Sequence, residues 1–123
     1  MKREKPYSTM RPPRKGYVIN VMGLSRLGMV YLRRDTYANN GHLAVCIVDK
    51  DKCTVGLVTV NLSTPLSAHH NNLAFVDENN LPGIGLFLQQ NNIAKPTGNF
   101  ACSGFCIYPE YEFDLRKIGG LEE

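Results

Sequence analysis

The chain has 123 residues, 43% of them hydrophobic, and a formal net charge of +3. That length makes one domain and is enough to bury a core without disulfide or metal staples. No apolar run reaches the roughly 18 residues a membrane helix needs, and no apolar segment follows the basic start as in a signal peptide. The expectation is therefore a cytoplasmic protein with no membrane partner.

The charge is unevenly placed. Residues 1–15 hold six basic side chains (Lys2, Arg3, Lys5, Arg11, Arg14 and Lys15) against Glu4, a local charge of +5 that leaves −2 for the rest. With Pro6, Pro12 and Pro13 among them, these residues read as an extended, disordered arm. The sequence thus divides into an arm over 1–15, a single folded domain over 16–115 and a loose tail over 116–123.

Within the domain, Tyr17 to Met22 reads as a strand closed by Gly23, and Met29 to Arg34 as a second. Tyr37-Ala38-Asn39-Asn40-Gly41 is a turn, since Asn and Gly tolerate positive φ. His42 to Val48 and Cys53 to Leu62 then form a hairpin about Asp49–Lys52, pairing Val48 with Cys53 and Cys46 with Val55. In that register Leu43, Val45, Ile47, Val58, Val60 and Leu62 share a core face. The second face, with Ala44, Cys46, Val48, Cys53, Val55 and Leu57, is also mostly apolar, as in a covered central strand or an interface.

Ser63 to Asn72 is a loop and Leu73 to Val76 a short strand. Asp77–Asn80 supplies capping groups for a helix from about Pro82 to Gln90, with Ile84, Phe87 and Leu88 turned inward. Asn91-Asn92 is a left-handed stop, and Ile93 closes the helix end with an apolar contact. Ala94–Gly98 reads as a turn into the final strand. From Ile107 onward the residues alternate: Ile107, Pro109, Tyr111 and Phe113 toward a core, Tyr108, Glu110, Glu112 and Asp114 toward water. Pro109 cannot donate to a ladder, which places this strand at an edge or starts it near Pro109. The fold class is α+β, an antiparallel sheet of about five strands with one main helix packed on it.

Several groups invite a chemical reading. Cys46, Cys53, Cys102 and Cys106 are a possible zinc set, but they lack the paired knuckle spacing of structural sites, and buried thiols behave as small hydrophobes. No metal or cofactor is assigned. His69-His70 beside Asp77 and Glu78 reads as a solvated loop, and Cys106 between Phe105 and Ile107 as an inert thiol. Gly83-Ile84-Gly85 lacks the partners of a phosphate loop. Tyr108, Glu110, Glu112 and Asp114 form an acidic stripe suited to a basic protein partner. The arm residues are the alternative, a nucleic-acid contact.

A string of motifs carries a family resemblance. It comprises Tyr37–Gly41, Val60-Asn61-Leu62, Ala74-Phe75-Val76-Asp77, Asn79-Asn80-Leu81-Pro82, Lys95-Pro96-Thr97-Gly98 and Ser103-Gly104-Phe105-Cys106 with Tyr108-Pro109 and Tyr111. Over roughly residues 28–114 the chain resembles domain of unknown function 4313, small proteins of conjugative elements and phages of gut Firmicutes and similar bacteria. The resemblance implies a setting and no chemistry. It leads to the expectation of a non-enzymatic binding protein of a mobile element or phage. Its partner would be a host defence nuclease of the CRISPR or restriction type.

Overall fold

The computed structural model describes residues 15–21 and 23–119. Eight strands and one α-helix follow in the order β1 (Gly16–Val18), β2 (Met29–Thr36), β3 (Leu43–Val48), β4 (Thr54–Leu57), β5 (Thr59–Val60), β6 (Leu73–Val76), α1 (Ile84–Gln90), β7 (Ala94–Ser103) and β8 (Cys106–Phe113). They form two four-stranded antiparallel sheets, ordered β1-β2-β3-β4 and β5-β6-β8-β7. The α+β class stands, with two sheets where the sequence led us to expect one of about five strands.

The second sheet begins at a corner the apolar pattern conceals. The segment read as one strand, Cys53 to Leu62, is divided at Val58. Leu57 still pairs with Cys46 of β3, whereas Thr59 pairs with Val76 of β6. Val58 bridges the two: its amide donates to Val45 and its carbonyl accepts from Asp77, at 2.9 and 2.8 Å. Such corners, where one strand passes from sheet to sheet, join packed sheets at an angle. The ladder starts one residue later than expected, Val48 with Thr54, and a bulge at Ile47/Val48 adds a second residue, so Cys46 pairs with Leu57 and not with Val55. The expected core face survives that shift in part: Leu43, Val45, Ile47 and Val58 are buried, whereas Val60 and Leu62, past the corner, are only half-buried.

The helix follows its local signals. Ile84, Phe87 and Leu88 are buried, and Tyr17 of β1 meets Phe87 edge-on at 6.1 Å between ring centres. The Glu78 carboxylate accepts from the amides of Gly83 and Gly85, satisfying donors that a first helical turn leaves unpaired. Asn92 sits at φ 56°, and the amides of Asn92 and Ile93 return to the carbonyls of Gln89 and Leu88. That is the paired 5→2 and 6→1 bonding of a left-handed helix stop, with Ile93 fully buried after it.

Three expectations about the end of the chain are corrected. Ala94–Gly98 is the first half of a ten-residue strand, distorted where residues 97–99 face Glu110 alone. β8 is no edge strand but lies between β6 and β7, and Pro109 falls just past the last β6 pair, Phe75 with Glu110. Residues 116–119 are no loose tail either. Ile118 is buried, and Gly119 bonds to Leu32 and Arg34 along the part of β2 that β1 leaves unpaired.

Candidate functional site

Three segments of the chain meet at one end of the second sheet. The amide of Phe113 donates to Asn72 and that of Asp114 to Ile93, both at 2.8 Å, so the loop before β6, the close of β8 and the exit from α1 converge. Between them lies a groove of about 1030 Å³. Its floor is apolar, made by the buried Ile93, Ala94 and Phe113. Its rim is polar: His69, His70 and Asn71 on the loop, Gln89 and Asn92 at the helix end, Lys95, Glu112 and Asp114 on the sheet side.

The charges on this rim are internally matched. Lys95 and Glu112 are directly opposed across β7 and β8 with their charged groups 3.9 Å apart, Lys95 largely exposed and Glu112 half-buried. Asp114 takes both Nε and Nη2 of Arg116 at 2.9 Å. The hydrogen bond from Arg116 outweighs partial burial and holds the Asp114 carboxyl below its ordinary range. The groove therefore offers an apolar floor and paired charges, an anatomy for holding a segment of another molecule.

The structure divides the expected acidic stripe. Glu112 and Asp114 reach the groove, but Tyr108 lies near the other end of β8, where burial and then a hydrogen bond to Cys106 raise its hydroxyl. Glu110 is not exposed at all. The period-two reading gave it the right face, but the loop Ser63–Asn72 covers that face, and Ser67 bonds the carboxylate. Glu110 is thus withdrawn as a contact residue. The histidines also change company. Asp77, expected beside them, accepts from the amide and side chain of Asn80, Glu78 caps the start of α1, and His69 and His70 stand with Glu112 and Asp114. Gln89, Asn92 and Lys95 went unread as site residues; the left-handed stop at Asn92 is the one local signal that turns the chain there.

The four cysteines do not converge. Cys102 pairs with Ile107 and Ser103 with Cys106, so Cys102 and Cys106 occupy opposite faces of their hairpin. Cys46 lies on β3 and Cys53 in the loop after it, and all four are free thiols. Among the described residues no three His, Cys, Asp or Glu side chains are grouped as metal ligands. Of the basic arm, Lys2, Arg3, Lys5, Arg11 and Arg14 lie outside the described residues. Lys15 is exposed, with its ammonium 5.5 Å from the centre of the Tyr17 ring.

A family model described as Domain of unknown function (DUF4313) matches residues 31–123. The match takes in the β7–β8 hairpin and the residues that line the groove, and extends past residue 114, where the resemblance read from the motifs ended. No curated protein and no solved structure matches the chain. Among the described residues no helix is long and apolar enough to cross a membrane.

Proposed function

We propose that this chain, which belongs to the DUF4313 family of domains of unknown function, is a non-enzymatic protein-binding module of a bacterial mobile element or phage. Its partner is a host defence nuclease of the CRISPR or restriction type, inhibited by direct contact. The observation that carries the binding reading is the groove, with buried Ile93, Ala94 and Phe113 beneath a rim of His69, Asn71, Asn92, Lys95 and Glu112. An apolar centre inside a polar rim is how protein interfaces exclude water while keeping their polar groups paired. The mobile-element setting and the choice of nuclease rest on the motif resemblance.

The test is capture of purified host nucleases by immobilised protein, repeated with two groove variants. Asn71→Trp fills the opening from the loop side, and Glu112→Lys turns the Lys95 pair into a repulsive one. Both positions are solvent-accessible, so the fold should remain intact. Loss of capture and of nuclease inhibition in both variants is the expected result. Undiminished capture by both would remove the groove from the function.

A further inference from the structure

The β7–β8 hairpin has an edge that nothing in the described chain occupies. Its turn is the two residues Gly104 and Phe105, with Gly104 at φ 61° and Ser103 paired with Cys106. In a two-residue hairpin the flanking pair is hydrogen-bonded and the pairs alternate from there. Ser103 and Ala101 therefore bond to β8, whereas Phe100 and Cys102 turn their amides and carbonyls outward. No described backbone group outside the hairpin bonds to either of them.

The half of this edge next to the turn carries no charge. From Gly98 through Pro109 the sequence holds no charged residue, so the edge lacks the charges that ordinarily block strand addition. One face carries Phe100 at 59% and Ile107 at 58% exposure, with exposed Cys102 between them, and Phe105 is wholly exposed at the tip.

We infer that the outer edge of β7 is a self-association surface, on which a second copy of this chain adds its own β7 antiparallel about a two-fold axis at Ala101. In that register Phe100 of each copy stands opposite Cys102 of the other. The outward amides and carbonyls of both residues are then all paired, in four hydrogen bonds. A register centred one residue on, at Cys102, would place Phe100 against the partner's Gly104 in the turn and lose that match. The two-fold keeps like faces together, so the Phe100, Cys102 and Ile107 strips of the two copies join into one apolar band. Because the edge is uncharged, a second copy meets no like charge. A short ladder with two aromatic and two aliphatic side chains buries less than the roughly 1,200 Å² of a permanent interface. The dimer is accordingly reversible. It uses the opposite end of β7 from the groove residue Lys95, and stands or falls apart from groove binding.

Sedimentation of the full chain over a range from micromolar to millimolar, under reducing conditions, reads it directly. The expected result is a mass that rises from one to two chains with concentration. Cys102→Pro removes an outward amide that β8 does not use, and edge strands tolerate Pro. It should weaken the dimer about thirtyfold, the loss of two symmetry-related hydrogen bonds. Cys102→Ser, which keeps the amide, should dimerise as the native chain does. Phe100→Lys, which places a charge in the apolar band of each copy, is the second disruptive variant should Cys102→Pro melt early. A monomer at every concentration would overturn the inference and leave the edge to a foreign strand. A dimer that survives both Cys102→Pro and Phe100→Lys, with melting unchanged, would overturn it equally by moving the contact elsewhere.

Discussion

Ser67 and Glu110, 43 residues apart in the chain, are joined twice. The Ser67 amide donates to one carboxylate oxygen at 2.8 Å and its hydroxyl to the other at 2.6 Å. Thr97 adds a third bond at 2.6 Å from the distorted stretch of β7, where residues 97–99 face Glu110 alone. One buried carboxylate thus fastens the covering loop, β8 and the irregular part of β7 to each other. Burying a charge is tolerated here because hydrogen bonds replace its water.

That arrangement fixes a pH dependence. Burial raises the Glu110 carboxyl, but hydrogen bonds from Ser67, Thr97 and Asn99 outweigh it, and the net position is below the ordinary glutamate value. A depressed folded-state value contributes stability that is fully present above the unfolded-state value. It is lost as pH falls through the folded one. Glu110→Gln should cost about 1.5–3 kcal/mol near pH 7, the range for hydrogen bonds to a charged group. Denaturant titrations at pH 7 and below pH 4 should show the gap between native protein and variant narrowing in acid. A gap of the same size at both would mean the carboxylate charge is not what holds the loop.

Charge reversal along β8 should separate its acidic residues sharply. Glu112→Lys changes a solvent-accessible side chain and should alter stability by no more than about 0.5 kcal/mol. Glu110→Lys sets an ammonium against the donors of Ser67 and Thr97 and should unfold the domain, since an unpaired buried charge is among the costliest changes known. Reversing Glu110, Glu112 and Asp114 together should therefore unfold it too, through Glu110. Circular dichroism of the single and triple variants decides this.

The sheet corner has its own polar pin. Thr59 is buried, and its hydroxyl oxygen accepts from the Val45 amide at 3.0 Å and lies 2.9 Å from the Tyr37 hydroxyl. Thr59→Val preserves shape but strips the Val45 amide of its acceptor, at a cost of about 1–3 kcal/mol. Thr59→Ser, keeping the oxygen, should lose less. Equal losses would show that packing of the methyl group, and not the hydrogen bond, fixes the corner.

Metal removal is expected to leave the fold unchanged. Cys102 and Cys106 occupy opposite faces of one hairpin, and Cys46 and Cys53 belong to the other sheet and its loop. Purified protein should carry less than about one zinc per chain, and a chelator should leave its melting temperature in place. Stoichiometric zinc with unfolding on its removal would reverse that view.

What could be read from the sequence was what neighbouring residues decide among themselves. The stop at Asn92 and Ile93 needs only a left-handed residue followed by an apolar one. The faces of Leu43, Val45 and Ile47 follow from alternation alone. Glu110 shows the limit: alternation gave its face, but whether water reaches that face depends on Ser67, placed there by the path of a distant loop. The corner at Val58 was hidden for a related reason. An unbroken apolar run reads the same whether its residues pair with one sheet or pass between two. The groove joins His69 and His70 to Glu112 and Asp114 through the β6–β8 pairing, which no spacing in the chain encodes.

Gly85 supplies the sharpest test of packing around β8. It is the second residue of α1, and alanine would ordinarily stabilise a helix relative to glycine. Here a methyl group would run into the Tyr111 hydroxyl and the Glu78 carboxylate that caps the helix. Both are held in place, Tyr111 by burial and a 3.2 Å bond from Gln89, Glu78 by the amides of Gly83 and Gly85. Gly85→Ala should therefore destabilise by about 1–3 kcal/mol, as overpacking does, against the sign of helix propensity. Tyr111→Ala, which deletes a buried aromatic, should cost about 3 kcal/mol or more. Tyr111→Phe removes only the hydroxyl in the way, so Gly85→Ala should cost about 1 kcal/mol less in that background, a coupling of the size expected for touching residues. A double-mutant cycle by urea denaturation measures it. Strict additivity, or a stabilising Gly85→Ala, would show that α1 does not sit against Tyr111 as described.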